Sequence, residues 1–132
     1  MIEFDLLIIV AEKISGFERD LIISKRRIRP IVEIRMICTN IIKKQHDLTV
    51  EQTGVLMNID HSTVSYHMKT HNTLISQRDG RYEKLYNQIN NKYQVELIYK
   101  MKNARAFLLD KKDKFEKMLE TVNNLLEGLG DK

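Results

Sequence analysis

Hydrophobic positions along the chain recur at three- and four-residue spacing in one segment after another, which predicts an all-α fold. Across residues 4–14, Leu6, Leu7, Ile9, Val10 and Ile14 form a wide apolar face, and Ser15 and Gly16 end that helix. A short apolar connection, Phe17 with Leu21, Ile22 and Ile23, tucks under the domain and delivers the chain to Ser24-Lys25-Arg26-Arg27-Ile28-Arg29. Pro30 follows, suited to a first helical turn because its missing N–H would have no intrahelical partner there. The helix it opens runs to about residue 44, with Ile31, Ile34, Met36, Ile37, Ile41 and Ile42 mostly inward and Arg35, Lys43 and Lys44 outward.

Thr49-Val50-Glu51-Gln52 then fits a capping box, the threonine oxygen accepting from the Gln52 N–H while the glutamine reaches back. It starts a short helix over residues 50–56. Gly54 inside that helix costs about 1 kcal/mol relative to alanine, which is tolerable where a neighbouring helix must come close. The turn Met57-Asn58-Ile59 leads to Asp60, a good N-cap, and to a second helix. Val64 and Met68 give it a narrow inward stripe, so His61, Ser62, Ser65, Tyr66 and Lys69 point outward. Two short helices around such a turn, with a glycine nearby, make a helix-turn-helix pattern, and an outward face of hydrogen-bonding groups is what a groove-reading helix needs. Taken alone, the same residues fit an ordinary surface helix with a polar face better than a reading helix.

Further on, residues 71–75 continue the helical run, Asp79 and Gly80 break it, and Tyr82, Leu85, Tyr86 and Ile89 make another apolar face. The tail carries a heptad register of its own. Met101, Leu108, Phe115, Val122 and Leu129 occupy one position of the repeat, and Leu97, Ala104, Lys111, Met118 and Leu125 the other. That spacing marks a coiled-coil seam, interrupted at Lys111, through which residues 97–129 could form a homodimer. A long helix folded back on its own domain is the alternative. In a dimer, two reading helices would meet half-sites about one helical turn, or a multiple of it, apart.

A length of 132 residues allows one domain with an appendage, here residues 1–91 and 92–132. With 42% hydrophobic and 30% charged residues and no apolar run of membrane-spanning length, a soluble protein without a membrane partner is expected. Residues 5–11 are apolar, but no basic segment precedes them and Glu12 and Lys13 follow where a cleavage site would stand. A cytoplasmic location is therefore expected. Cys38, the one cysteine, lies in an apolar helical run and reads as a small buried hydrophobe. The net charge of +4 matters less than its distribution. Residues 1–23 sum to −3, residues 24–44 to +6, residues 45–91 to −1, residues 92–117 to +4 and residues 118–132 to −2. The swing at residue 24 marks a basic patch suited to phosphates.

From about residue 8 to residue 89 the chain resembles the C-terminal duplex-DNA-binding domain of the bacterial chromosomal replication initiator DnaA. The residues that carry the resemblance are the Ser24 to Arg29 loop, Arg35 in the following helix, and Asp60-His61-Ser62-Thr63-Val64, which looks like the family's Asp-His-Thr/Ser-Thr-Val signature. The resemblance implies a helix-turn-helix fold related to the Trp repressor, here with a long C-terminal helical extension, and binding of double-stranded DNA. By position, Arg27 would be the minor-groove arginine, Arg35 a base or phosphate contact, and His61, Ser62 and Thr63 the major-groove readers. Tyr66 takes the place of a further contacting histidine. Lys25, Arg26, Arg29, Lys43, Lys44 and Lys69 suit phosphate contacts, which set register without reading sequence. Met36, Glu33 and Tyr66 depart from the family's pattern, so duplex binding carries over more firmly than the target sequence.

Other chemistry finds little footing. There is no Gly-x-x-x-x-Gly-Lys-Ser/Thr loop, so no nucleotide and no ATPase module are expected. His61, His67 and His71 lack carboxylate or cysteine neighbours at ligand spacing, and polar helix histidines usually face solvent or DNA, so no metal is expected. No nucleophile has an identifiable base, so neither an enzyme nor a cofactor is expected. The expected function is sequence-preferring duplex-DNA binding that regulates replication or transcription. The rival is a helical protein-interaction adaptor whose basic patch gives only non-specific DNA adhesion.

Overall fold

The computed structural model describes residues 3–130, and all its regular structure there is helical. The ends of the two expected segments, residues 1–2 and 131–132, lie outside those residues. Six helices follow in order: α1 (Phe4–Ser15), α2 (Arg19–Ile22), α3 (Arg29–Gln45), α4 (Val50–Met57), α5 (His61–Ser76) and α6 (Gly80–Gly130). The chain divides into two units, Met1–Glu96 and Leu97–Lys132, with the division inside α6. No helix is long and apolar enough to cross a membrane among the described residues.

The first unit is built around α3, against which α1, α2, α4 and α5 all pack. Ten of its side chains are buried, from Ile31 to Ile42, so almost every face of this helix meets protein. Their partners in the core include Leu7, Ile8, Val10, Ala11, Ile22, Met57 and Val64. Pro30 sits in the first turn of α3 as its chemistry requires. Ile9, expected inward, is 45% exposed: in a helix that packs one side on α3, its position falls on the outer edge of the apolar face. Cys38 is fully buried, and burial pushes its thiol pKa up to about 12.

Helix ends follow from local chemistry. Gly16 closes α1 at φ +79°, its N–H donating to the Glu12 carbonyl, a conformation glycine adopts without steric cost. The capping box at Thr49 and Gln52 is complete, with both bonds formed at 3.1 and 3.0 Å. Three helices end on a left-handed residue, Asp47, Asn58 or Arg78. In each case the next N–H reaches the carbonyl five residues back, across 3.0, 2.9 and 3.1 Å. At Asn58 this closure turns the chain sharply from α4 into α5. It also explains Gly54, where an added Cβ would stand 2.6 Å from the Ile59 carbonyl oxygen. The turn lies directly on the α4 backbone, so no side chain fits there.

The first turns of α6 are tied into the same unit by aromatic and polar side chains. Tyr82 is 1% exposed and its hydroxyl lies 2.6 Å from His71 Nδ1, while Tyr86 packs edge-on against the same imidazole. Tyr93 donates to the Glu3 carbonyl across 3.2 Å and lies 3.0 Å from His46 Nε2. The second unit is the remainder of α6. From Ile98 to Leu129 every residue is exposed, including the heptad positions Met101, Leu108, Phe115, Val122 and Leu125.

Candidate nucleic-acid interface

A cleft of about 950 Å³ opens between the basic loop with the start of α3 on one side and α5 on the other. Ser24, Lys25, Arg27 and Arg29 line the first wall, Ser62, Thr63 and Tyr66 the second. Its floor includes Val32, Met36 and Arg35. Two sequence segments more than 30 residues apart, each proposed for contact, thus converge on one concave surface.

Arg35 lies beneath that surface and does not project from it. Only 5% exposed, its guanidinium donates from Nε to the Ile22 carbonyl (2.8 Å), from Nη1 to the Arg26 carbonyl (3.1 Å), and from Nη2 to the Leu21 carbonyl (3.3 Å) and Ser24 Oγ (3.4 Å). The outward position expected for Arg35 is therefore corrected. At that point α3 is packed against α2 and overlaid by the loop, whose Ile22 and Arg26 carbonyls take the guanidinium as donor. The guanidinium is a positioning group. It fixes the path of the loop, so that Lys25, Arg27 and Arg29 stay exposed at the cleft.

At the opposite wall, Asp60 caps α5. The Ser62 N–H donates to its carboxylate across 3.3 Å, the Ser62 hydroxyl donates to the same oxygen, and His61 Nδ1 stands 3.4 Å from the other. The two Ser62 donors hold the Asp60 carboxyl below its ordinary range. Ser62 is consequently engaged in the cap, whereas Tyr66 is 63% exposed.

Two histidines expected at a solvent or DNA face are buried instead. His67 is 3% exposed and His71 8%, and together with Val64 they make the buried face of α5. Met68, expected to complete the inward stripe with Val64, is only half-buried. The stripe follows i, i+3 and i+7 from Val64, so it selects His67 and His71. His71 is satisfied by Tyr82, but neither ring nitrogen of His67 has a hydrogen-bond partner. Desolvation, and secondarily the charge of Arg35, pushes the His67 pKa down to about 4. Its imidazole is neutral at pH 7.

Carboxylates temper the cations. Glu33 accepts from Arg81 Nη2 across 2.6 Å and stands 3.5 Å from Arg29 Nε, so one of the four loop cations is already paired. Arg81, from the first turn of α6, was not among the expected site residues. Its arrival is a tertiary effect, and the sequence offers only a basic residue next to a helix break. Asp79 also lines the cleft, where it accepts from the Tyr82 N–H across 3.1 Å.

The remaining expected contacts divide. Arg26, His61 and Lys69 are exposed but do not line the cleft, and Lys43 is half-buried. Lys44 lines a separate groove with Gln45, Tyr86, Asn90 and Gln94. Conversely Thr70 and Leu74, which are not among the expected contacts, line the cleft; the spacing 63, 66, 70, 74 places them on one face of α5 with Thr63 and Tyr66. No cluster of three or more histidine, cysteine or acidic side chains suited to a metal occurs among the described residues. The cleft therefore offers guanidinium, ammonium and hydroxyl donors around a partly apolar floor, groups of the kind that meet phosphates and base edges, together with the carboxylates of Glu33, Asp60 and Asp79. No protein-family description matches the chain, and a search of curated proteins finds no match.

Proposed function

We propose that the chain binds double-stranded DNA with sequence preference, through a helix-turn-helix of the replication initiator's C-terminal type formed by α4, its turn and α5. The reading rests on one observation: Lys25, Arg27 and Arg29 line the same cleft as Ser62, Thr63 and Tyr66. In this arrangement α5 enters the major groove and reads with Thr63, Tyr66 and Thr70, while Arg27 reaches the flanking minor groove, where negative potential concentrates. Lys25, Arg29 and the exposed Arg26 and Lys69 contact phosphates. Occupancy of sites would regulate replication or transcription.

A gel-shift titration at two salt concentrations tests this reading, with a duplex carrying the initiator's recognition box set against a scrambled duplex of equal length. Tighter binding to the box, lost in Arg27→Ala and Thr63→Ala, is the expected result. Binding to neither duplex overturns the reading. Equal binding to both, unaffected by either substitution except in salt dependence, favours a helical adaptor with non-specific adhesion, the alternative to which the exposed apolar tail lends weight.

A further inference from the structure

Of the 18 large hydrophobic side chains that are exposed among the described residues, 13 lie between Ile98 and Leu129. Eleven of these fall at positions a, d, e or g of the heptad register, Tyr99 and Leu109 alone lying off that face, and an apolar stripe of that extent on one helix marks a surface that another body covers. We propose that a second copy of this chain covers it, and that the two helices run antiparallel. This inference is independent of the duplex-binding reading.

The orientation follows from the order of residues along the stripe. With Met101, Leu108, Phe115, Val122 and Leu129 at heptad position a and Leu97, Ala104, Lys111, Met118 and Leu125 at d, a parallel pair stacks each residue on its own copy. Lys111 then faces Lys111 in the middle of the seam. Lys100 at position g also meets Arg105 at position e of the other chain, like charge against like.

Reversing one helix removes both conflicts. Position a now faces d, and the exposed layers match one another: Met101 meets Leu125, Leu108 meets Met118, and Val122 meets Ala104, while Leu129 falls opposite Leu97, which is only 8% exposed within its own chain. In the central layers Lys111 meets Phe115. The ammonium of Lys111 already lies 5.4 Å from the Phe107 ring centroid on its own helix, so its stem and charge sit against aromatic surface from two directions. Along the flanks, Ile98 falls beside Leu126 and Arg105 beside Leu119. Like charges meet only at the two-fold axis, Lys112 with Lys112 and Lys114 with Lys114. Each already has a carboxylate one turn away, Glu116 at 3.9 Å and Asp110 at 3.1 Å. The self-match of the seam is what singles out a second copy as the occupant. At 1.5 Å per residue the two Leu97 ends of such a pair stand about 48 Å apart.

The test uses the full chain. Sedimentation equilibrium at micromolar concentration should give a dimer, and Leu108→Glu should give a monomer with unchanged near-ultraviolet circular dichroism. Full chains carrying Met101→Cys and Leu125→Cys are then mixed and oxidised; the native Cys38, fully buried, does not compete. A disulfide between unlike variants, at least tenfold in excess over the like pairs, is the expected product. Predominant Met101→Cys self-pairing would mean a parallel seam and overturn the proposal. So would a monomer at all concentrations, including one that binds vesicles of anionic phospholipid, which would assign the stripe to a membrane surface, and so would an assembly larger than two chains.

Discussion

Arg35 Nε donates to the Ile22 carbonyl across 2.8 Å, the shortest of four bonds by which one buried guanidinium holds α2 and the basic loop to α3. Charge-assisted bonds to backbone carbonyls are strong, and removing the donor takes away the guanidinium partner of the Ile22 and Arg26 carbonyls, whereas the Leu21 carbonyl still accepts from the Ser24 N–H and hydroxyl. Arg35→Ala should therefore lower the unfolding free energy by about 2–3 kcal/mol, read as a smaller urea midpoint. The loss should be local first. Amide hydrogen exchange at residues 22–27 should accelerate more than exchange in α5, and Arg35→Lys, with one ammonium in place of a planar fork, should restore only part of the protection. Equal acceleration throughout the first unit would refute a role confined to the loop.

His67 makes stability depend on pH in a definite direction. Its folded pKa is lowered to about 4, while in the unfolded chain it takes the ordinary value of about 6.5. Above pH 6.5 both states are neutral and nothing is contributed. As pH falls towards 4 the unfolded state takes up the proton and the folded state does not, so stability is lost by up to about 1.4 kcal/mol per pH unit. His71 and His46, also lowered chiefly by burial, act in the same direction. Urea midpoints at pH 7.5 and 5 should differ markedly in the parent and less in His67→Leu. The leucine should also raise the midpoint at pH 7.5, because both His67 ring nitrogens are buried without partners and an apolar side chain has none to satisfy. A parent midpoint that does not change with pH would refute the buried, neutral imidazole.

What the sequence reveals and what it conceals divide along the range of the interactions. Helix limits were legible because their determinants are local: Gly16, Pro30, the Thr49 capping box and the Asp60 cap each act within a turn of their own position. Gly54 was legible as a close approach, though not that the approaching group is the Ile59 carbonyl. Charge and polarity misled where burial is set by distant partners. Arg35 and His67 read as surface residues, yet α3 is surrounded and α5 turns His67 towards it, with Asn40 donating to the His67 carbonyl across 3.2 Å. The meeting of the basic loop with α5 was an expectation from a family resemblance, since nothing local in either segment specifies the other. Arg81 at Glu33 had no signal at all, because 48 residues separate them.

That ion pair yields a last prediction. Glu33 is 8% exposed, and it holds Arg81 at 2.6 Å and Arg29 at 3.5 Å, while Arg29 itself lines the cleft. Accepting from Arg81 raises the pKa of that guanidinium. Pairing of the two arginines with Glu33 reduces the positive potential at the edge of the cleft and holds the Arg29 side chain near α3. Glu33→Gln removes the negative charge and keeps the shape. Arg29 is then free to reach a phosphate, and the local field becomes more positive by one unit. If the cleft binds duplex DNA, the substitution should tighten binding to box and scrambled duplexes alike at low salt, since phosphate contacts carry no sequence information. The logarithmic dependence of affinity on salt should steepen by about 0.9 for each additional phosphate that the protein neutralises. Titrations over a series of salt concentrations measure that slope directly. An unchanged slope would mean that Arg29 reaches no phosphate, and tighter binding confined to the box duplex would mean that Glu33 acts on base reading instead.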